Sequence, residues 1–93
     1  MKASEIPEGH GSAGQIGGTP VAVYKPGSGR VIVLKNVCTH MGCATDWNSL
    51  DRTWDCPCHG SRYHPDGTVL RGPAPAPLRR LDYSIQDDEI VLS

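Results

Sequence analysis

The stretch Val37–Tyr63, VCTHMGCATDWNSLDRTWDCPCHGSRY, holds all four cysteines of the 93-residue chain and two of its four histidines. They fall into two near-matching groups, Cys38-Thr39-His40-Met41-Gly42-Cys43 and Cys56-Pro57-Cys58-His59. Each group sets a cysteine close to a histidine, as Cys38-x-His40 and Cys56-x-x-His59, which is a metal-ligand spacing. Two thiolates and two imidazoles satisfy a tetrahedral zinc ion. Structural zinc modules, however, normally keep the cysteine pair together and the histidine pair together, and zinc here would leave Cys43 and Cys58 without a role. Two disulfides, in any of three pairings, would ignore the histidines. A [2Fe–2S] cluster bound by two thiolates at one iron and two neutral imidazoles at the other uses both residue types. Its lower negative charge favours the reduced state and raises the potential.

Outward from this stretch, short β-branched runs separated by turn residues predict an all-β protein. The runs are Val21–Tyr24, Val31–Leu34, Thr68–Leu70, Leu81–Ile85 and Ile90–Leu92. Lys25–Gly29, Pro65–Gly67 and Gln86–Asp88 read as hairpin connections, because Gly and Asp tolerate the backbone angles of tight turns. Hairpins in series predict an antiparallel meander or small barrel. Alternation of Leu81, Tyr83 and Ile85 with polar neighbours predicts one buried and one wet face. No helix longer than a turn is expected, with one such turn around Asn48–Arg52. In Arg71–Pro77, alternating prolines hold the chain extended and remove backbone donors, so the segment cannot join a central strand; it is either a stiff connector or a wall for something beside it.

Length predicts a single domain over residues 1–93, with its metal-binding region at about 37–77. The hydrophobic fraction is 38%, with two Trp, three Tyr and no Phe, so the core is thin and needs a metal, a cross-link or a partner. Net charge is −1, with Lys and Arg scattered along the chain, and neither nucleic acid nor anionic lipid is an expected partner. No apolar stretch reaches the length of a membrane span or an export signal, and a cytoplasmic location is expected.

The segments CTHMGC and CPCHGSRY resemble both halves of the motif of the Rieske iron–sulfur family. The resemblance implies a small antiparallel β-sandwich or barrel-like fold with the cluster at the tip of two loops. Cys38 and Cys56 then ligate one iron of a [2Fe–2S] cluster, His40 and His59 the other, and Cys43 pairs with Cys58 in a disulfide that ties the loops together. It also implies that the proline segment, with Gly72 and Pro73, forms a wall beside the cluster. Because both second cysteines are present, the chain is similar to the disulfide-containing, higher-potential members. In these, hydroxyls at the positions of Ser61 and Tyr63 donate to cluster or ligand sulfur and stabilise the extra electron.

The resemblance implies one-electron transfer between a protein donor and a protein acceptor, with no catalysis by the domain alone. Trp47-Asn48, TWDCPCHGSRY and PDGTVLRGPAPAPL look most like the Rieske domain carried by certain FAD-dependent oxidoreductases. A flavoprotein-linked relay is therefore expected, in keeping with a chain shorter than the soluble heads of quinol-oxidising cytochrome bc complexes. Such a head is the alternative, and a structural zinc module is the remaining one. Met41 is expected to shield the cluster, Trp47 and Trp54 to pack the loop bases, and His10 and His64 to lie on the surface. An imidazole on iron keeps a second nitrogen that releases a proton more readily when the iron is oxidised, so the potential should fall at high pH.

Overall fold

A computed structural model describes residues 1–27 and 30–93. Among the described residues nine strands form three antiparallel sheets, each a meander of consecutive strands. The first sheet comprises β1 (Gly11–Ile16), β2 (Thr19–Gly27) and β3 (Arg30–Lys35). The second comprises β4 (Asp46–Asn48), β5 (Thr53–Asp55), β6 (Arg62–Tyr63) and β7 (Val69–Arg71), and the third is the hairpin of β8 (Tyr83–Gln86) and β9 (Glu89–Leu92). Among the described residues no helix is long and apolar enough to cross a membrane.

The first sheet separates two cores. Side chains alternate across a strand, so Val21, Val23, Val31 and Val33 face one side, where they pack with Ala3, Ile6 and Ile90. Ala22 and Leu34 face the other and join Cys38, Trp54, Cys56, Tyr63, Ala74 and Leu78, with Tyr24 and Ile32 packed at the edge. The register agrees, pairing Val23 with Val33 and Ala22 with Leu34. A sheet covered on both faces needs an unbroken apolar run, which is why β2 and β3 show no polar alternation. The stretch carrying the cysteine–histidine groups thus lies over one face of this sheet and β8–β9 over the other.

Strands β2, β3, β7, β8 and β9 contain the expected runs, with shifted ends: Thr68, Leu81 and Asp82 lie outside them. Pro65–Gly67 and Asp87–Asp88 are turns, and both aspartates take positive φ, 50° and 67°, as a tight two-residue hairpin requires. Of the expected connection at Lys25–Gly29, Lys25 to Gly27 continue β2, and Ser28 and Gly29 lie outside the described residues. Asn48–Arg52 is not a helical turn: Asn48 ends β4, and its side-chain oxygen accepts the Leu50 and Asp51 amides to make the bend into β5. The helical turn that is present is a 3₁₀ segment at Ala3–Glu5. Over Leu81–Ile85 the expected two-faced pattern holds only in part, since Leu81 and Tyr83 are half-buried whereas Ile85 is 41% exposed.

Strand β1 has no β-branched run before Ile16, yet its start is fixed by packing. A Cβ on Gly11 would lie 2.8 Å from both Trp47 and Trp54, so only glycine lets β1 approach the second sheet there.

Candidate metal centre

The two cysteine–histidine groups form loops of matching backbone. In the first, the Cys38 N–H donates to the Cys43 carbonyl and the Gly42 N–H to the Cys38 carbonyl, both at 2.8 Å. In the second, the Cys56 N–H donates to the Ser61 carbonyl at 2.8 Å and the Gly60 N–H to the Cys56 carbonyl at 3.1 Å. Each loop closes through a glycine four positions after the cysteine, with φ of 76° at Gly42 and 78° at Gly60. That left-handed backbone costs other residues about 1–2 kcal/mol. The equal offset, Cys-x-x-x-Gly in both groups, is the sequence signal for these two glycines.

A disulfide joins Cys43 to Cys58 and links the loops. Cys38 and Cys56 are free thiols, buried to 2% and 3% exposure, whereas His40 and His59 are exposed. The two imidazoles meet edge to face with ring centroids 4.9 Å apart. The candidate ligands are therefore layered, with sulfur inside and nitrogen outside.

Around Cys38 the protein favours thiolate. Burial pushes the thiol up, but donation from the Tyr63 hydroxyl, the His40 N–H, the Cys56 side chain and the Met41 N–H outweighs it and brings the pKa to about 7. The Tyr63 hydroxyl lies 3.3 Å from Cys38 Sγ. Burial, followed by this donation to sulfur, pushes the phenol above its usual range and keeps it protonated as a donor. Tyr63 reaches Cys38 because β6 pairs with β5 inside the core, with Tyr63 opposite Trp54.

Five further hydrogen bonds hold the loops. The buried Asn36 side chain accepts the Thr45 N–H at 2.8 Å and donates to the Thr45 carbonyl at 3.1 Å, fixing the base of the first loop. Thr39 Oγ1 donates to the Ala76 carbonyl at 2.6 Å, and the Thr39 N–H donates to the Tyr63 hydroxyl at 3.1 Å. The buried Ser61 Oγ accepts the Ala74 N–H at 3.1 Å, which leaves its own proton available to another acceptor. The proline segment is thus fastened to both loops, through Ala74 and Ala76; Gly72 and Pro73 are exposed at its start. Asn36, Thr39 and Thr45 escape sequence reasoning; Ala74 and Ala76 lie in the proline segment expected as a wall, but nothing in their spacing shows which of its groups touch the loops. Met41, next to His40 in the first loop, is 62% exposed.

The layered donor set fits a two-iron group better than a single ion. Ligands of one zinc lie about 2.0–2.3 Å from it and so within about 4 Å of each other. Among the described residues, the one set of three or more ligating side chains whose atoms lie within 4.8 Å of one another is Cys43, Cys56 and Cys58, two of which are consumed in the disulfide. Cys38, His40, Cys56 and His59 are spread too widely for one centre. Two buried thiols below two exposed imidazoles match a binuclear cluster gripped by sulfur at one end and nitrogen at the other.

A family model described as "Rieske [2Fe-2S] domain" matches residues 1–82. Over 75 residues the chain is 49% identical to "Cytochrome b6-f complex iron-sulfur subunit 1" of Synechocystis sp., covering 81% of this chain and 42% of that protein. Over 82 residues it is 42% identical to "Putative Rieske 2Fe-2S iron-sulfur protein YhfW" of Bacillus subtilis, covering 88% of this chain and 16% of that protein. The chain therefore spans less than half the length of either relative. A chain in the structure titled "Hyperthermophilic respiratory Complex III" superposes with a TM-score of 0.78 at 28% identity, covering 98% of this chain and 71% of that one.

Proposed function

Because the chain belongs to the Rieske [2Fe-2S] family and so carries a [2Fe–2S] cluster in an electron-transfer role, we propose that it is the electron-carrying head of a quinol-oxidising complex of the cytochrome bc kind. Cys38 and Cys56 would hold the cluster from the interior, and His40 and His59 would hold it from the surface. When bound, the cluster supplies a one-electron couple. The protein supplies the rest. Tyr63 donates its proton to Cys38 Sγ, and Ser61, held in place by the Ala74 N–H, has its hydroxyl proton free for a second sulfur; both draw negative charge off the centre and favour its reduced state. Ala74 and Ala76 pin the proline segment against the loops as a wall, behind Gly72 and Pro73.

The observation that carries this reading is the exposure of His40 and His59 above buried thiols, locked by the Cys43–Cys58 disulfide. With the cluster bound, either imidazole would keep one ring nitrogen at the surface, available to hydrogen-bond or exchange a proton with a quinol-like hydroxyl. The likeness to a cytochrome b6-f subunit and to a respiratory complex III chain supports the same reading. The flavoprotein-linked relay expected from the sequence has narrower support: in the B. subtilis relative the matching domain is a small part of a much longer chain, as an appended module would be.

Disruption of the gene in its host tests the choice, with quinol-dependent reduction of cytochrome c assayed in membranes. The proposal expects that activity to fall and to return with the wild-type gene but not with His59→Ala. Unchanged quinol oxidation, together with reduction of the purified protein by an NADH-driven flavoprotein, would favour the appended module instead.

A further inference from the structure

Lys and Arg are scattered along the sequence, yet the fold gathers several of them. No carboxylate occurs between Glu8 and Asp46 or between Asp66 and Asp82, whereas the first stretch carries Lys25, Arg30 and Lys35 and the second Arg71, Arg79 and Arg80. These two stretches lie against each other along the edge of β3. The Lys35 N–H donates to the Arg79 carbonyl and the Leu81 N–H to the Val33 carbonyl, both at 2.8 Å, and Leu34 bridges Arg80.

Arg30, Arg80 and Asp82 consequently line one groove, and Lys35, Arg79, Arg80 and Asp82 the groove beside it. Among the described residues none of the four cations forms an ion pair, whereas Arg62 is paired with both Asp51 and Asp55. Asp82 lies on the face and Asp66 within electrostatic reach of Arg80, so cations remain in excess. The chain as a whole is at −1, so this local sign opposes the net charge. One end of the face leads into the first loop, since Lys35 is three residues before Cys38 and Arg79 three after Ala76, whose carbonyl holds Thr39; Arg30 stands at the other end of β3.

We propose that the face formed by Arg30, Lys35, Arg79 and Arg80 is the docking surface for an acidic electron-transfer protein, which it seats beside the cluster loops. Asp82 argues for a protein over lipid or nucleic acid. A uniformly anionic surface would press negative charge against it, whereas a protein can place carboxylates opposite the cations and spare it. Unpaired cations steer such a partner from a distance and set its orientation, an effect that salt screens. The inference rests on the electron-transfer role but not on the quinol-oxidising reading.

Fluorescein-labelled hexaglutamate serves as the model acidic surface, titrated by anisotropy into the holoprotein at ionic strengths of about 0.01 M and about 0.15 M, where the Debye length is about 30 Å and about 8 Å. The wild type should bind at low salt and weaken about tenfold at the higher salt. The Arg30→Gln/Lys35→Gln/Arg79→Gln/Arg80→Gln variant should lose this binding, and the milder Lys35→Gln/Arg79→Gln variant should keep part of it. In a second arm the reduced protein gives one electron to hexacyanoferrate(III), forming hexacyanoferrate(II). That rate should fall with salt in the wild type and rise with salt in the fourfold variant, while oxidation by the cationic tris(phenanthroline)cobalt(III) is not slowed by the substitutions. Peptide binding equal in wild type and fourfold variant overturns the proposal, as does binding to phosphatidylserine vesicles without binding to hexaglutamate. A protein lacking iron would silence the electron-transfer arm alone and count against the cluster; peptide binding would still read the face.

Discussion

Cys38 shows how single residues prepare the centre. Its ordinary pKa of 9.0 is brought to about 7: burial opposes ionisation, and hydrogen bonds led by that from Tyr63 outweigh it. A thiol whose folded pKa is depressed adds stability that is complete above its unfolded pKa and is lost as pH falls through the folded one. Cluster-free protein with its disulfide intact should therefore gain resistance to urea between pH of about 7 and about 9. Tyr63→Phe should flatten that slope, and an equally steep slope in the variant would show that Tyr63 does not set it. In the holoprotein the same substitution removes a donor that favours the reduced state. At about 1.5–3 kcal/mol for a hydrogen bond to a charged group, the one-electron potential should drop by about 65–130 mV, measured by redox titration. The ligand types were legible in the sequence because their spacing is local and chemically distinctive. The Cys43–Cys58 disulfide and the Tyr63 hydroxyl at Cys38 were legible only through the resemblance of CTHMGC and CPCHGSRY to a known motif, since spacing alone left the cysteine pairing open and made Tyr63 an ordinary strand residue. The contacts of Thr39, Ala74 and Ala76 were not legible, since they are created by a proline segment folding back over both loops.

Among the elements, the two ligand loops are one backbone design used twice, and its cost is concentrated at Gly42 and Gly60. A Cβ at Gly60 would meet nothing within 4 Å, so Gly60→Ala isolates the backbone penalty from any clash. It should destabilise the holoprotein by about 1–2 kcal/mol in chemical denaturation and speed loss of the cluster. No measurable change would mean that the loop closes without left-handed geometry. Gly11→Ala is the opposite case: its Cβ would enter a space already filled by Trp47 and Trp54. Overpacking there should cost about 1–3 kcal/mol and shift the tryptophan emission. The strong runs of β2 and β3 could be read because a sheet buried on both faces demands consecutive apolar residues. Strands β4, β5 and β6 span only two or three residues each inside the ligand stretch, and β1 is rich in glycine, so none carries a readable period. The turn at Asn48–Arg52 resembles a helix start in sequence, but the Asn48 side chain takes up the Leu50 and Asp51 amides that a helix would otherwise organise.

The molecule as a whole divides at the first sheet. One core holds β8–β9 and the 3₁₀ segment against Val21, Val23, Val31 and Val33, and the other is built around the thiols themselves. The thiols proposed as ligands are part of that core, so loading the metal should stabilise the packing on that side of the sheet. The cationic face along β3 is also a property of the whole fold, invisible in a sequence where its members stand far apart. The central claim is that two thiolates and two imidazoles hold opposite ends of one cluster, and pulsed electron paramagnetic resonance of the reduced holoprotein tests it most directly. The account predicts couplings from two histidine nitrogens, abolished stepwise in His40→Ala and His59→Ala, in protein containing about two irons and two acid-labile sulfides. A reduced cluster with no nitrogen couplings, or a colourless protein holding one zinc, would contradict it.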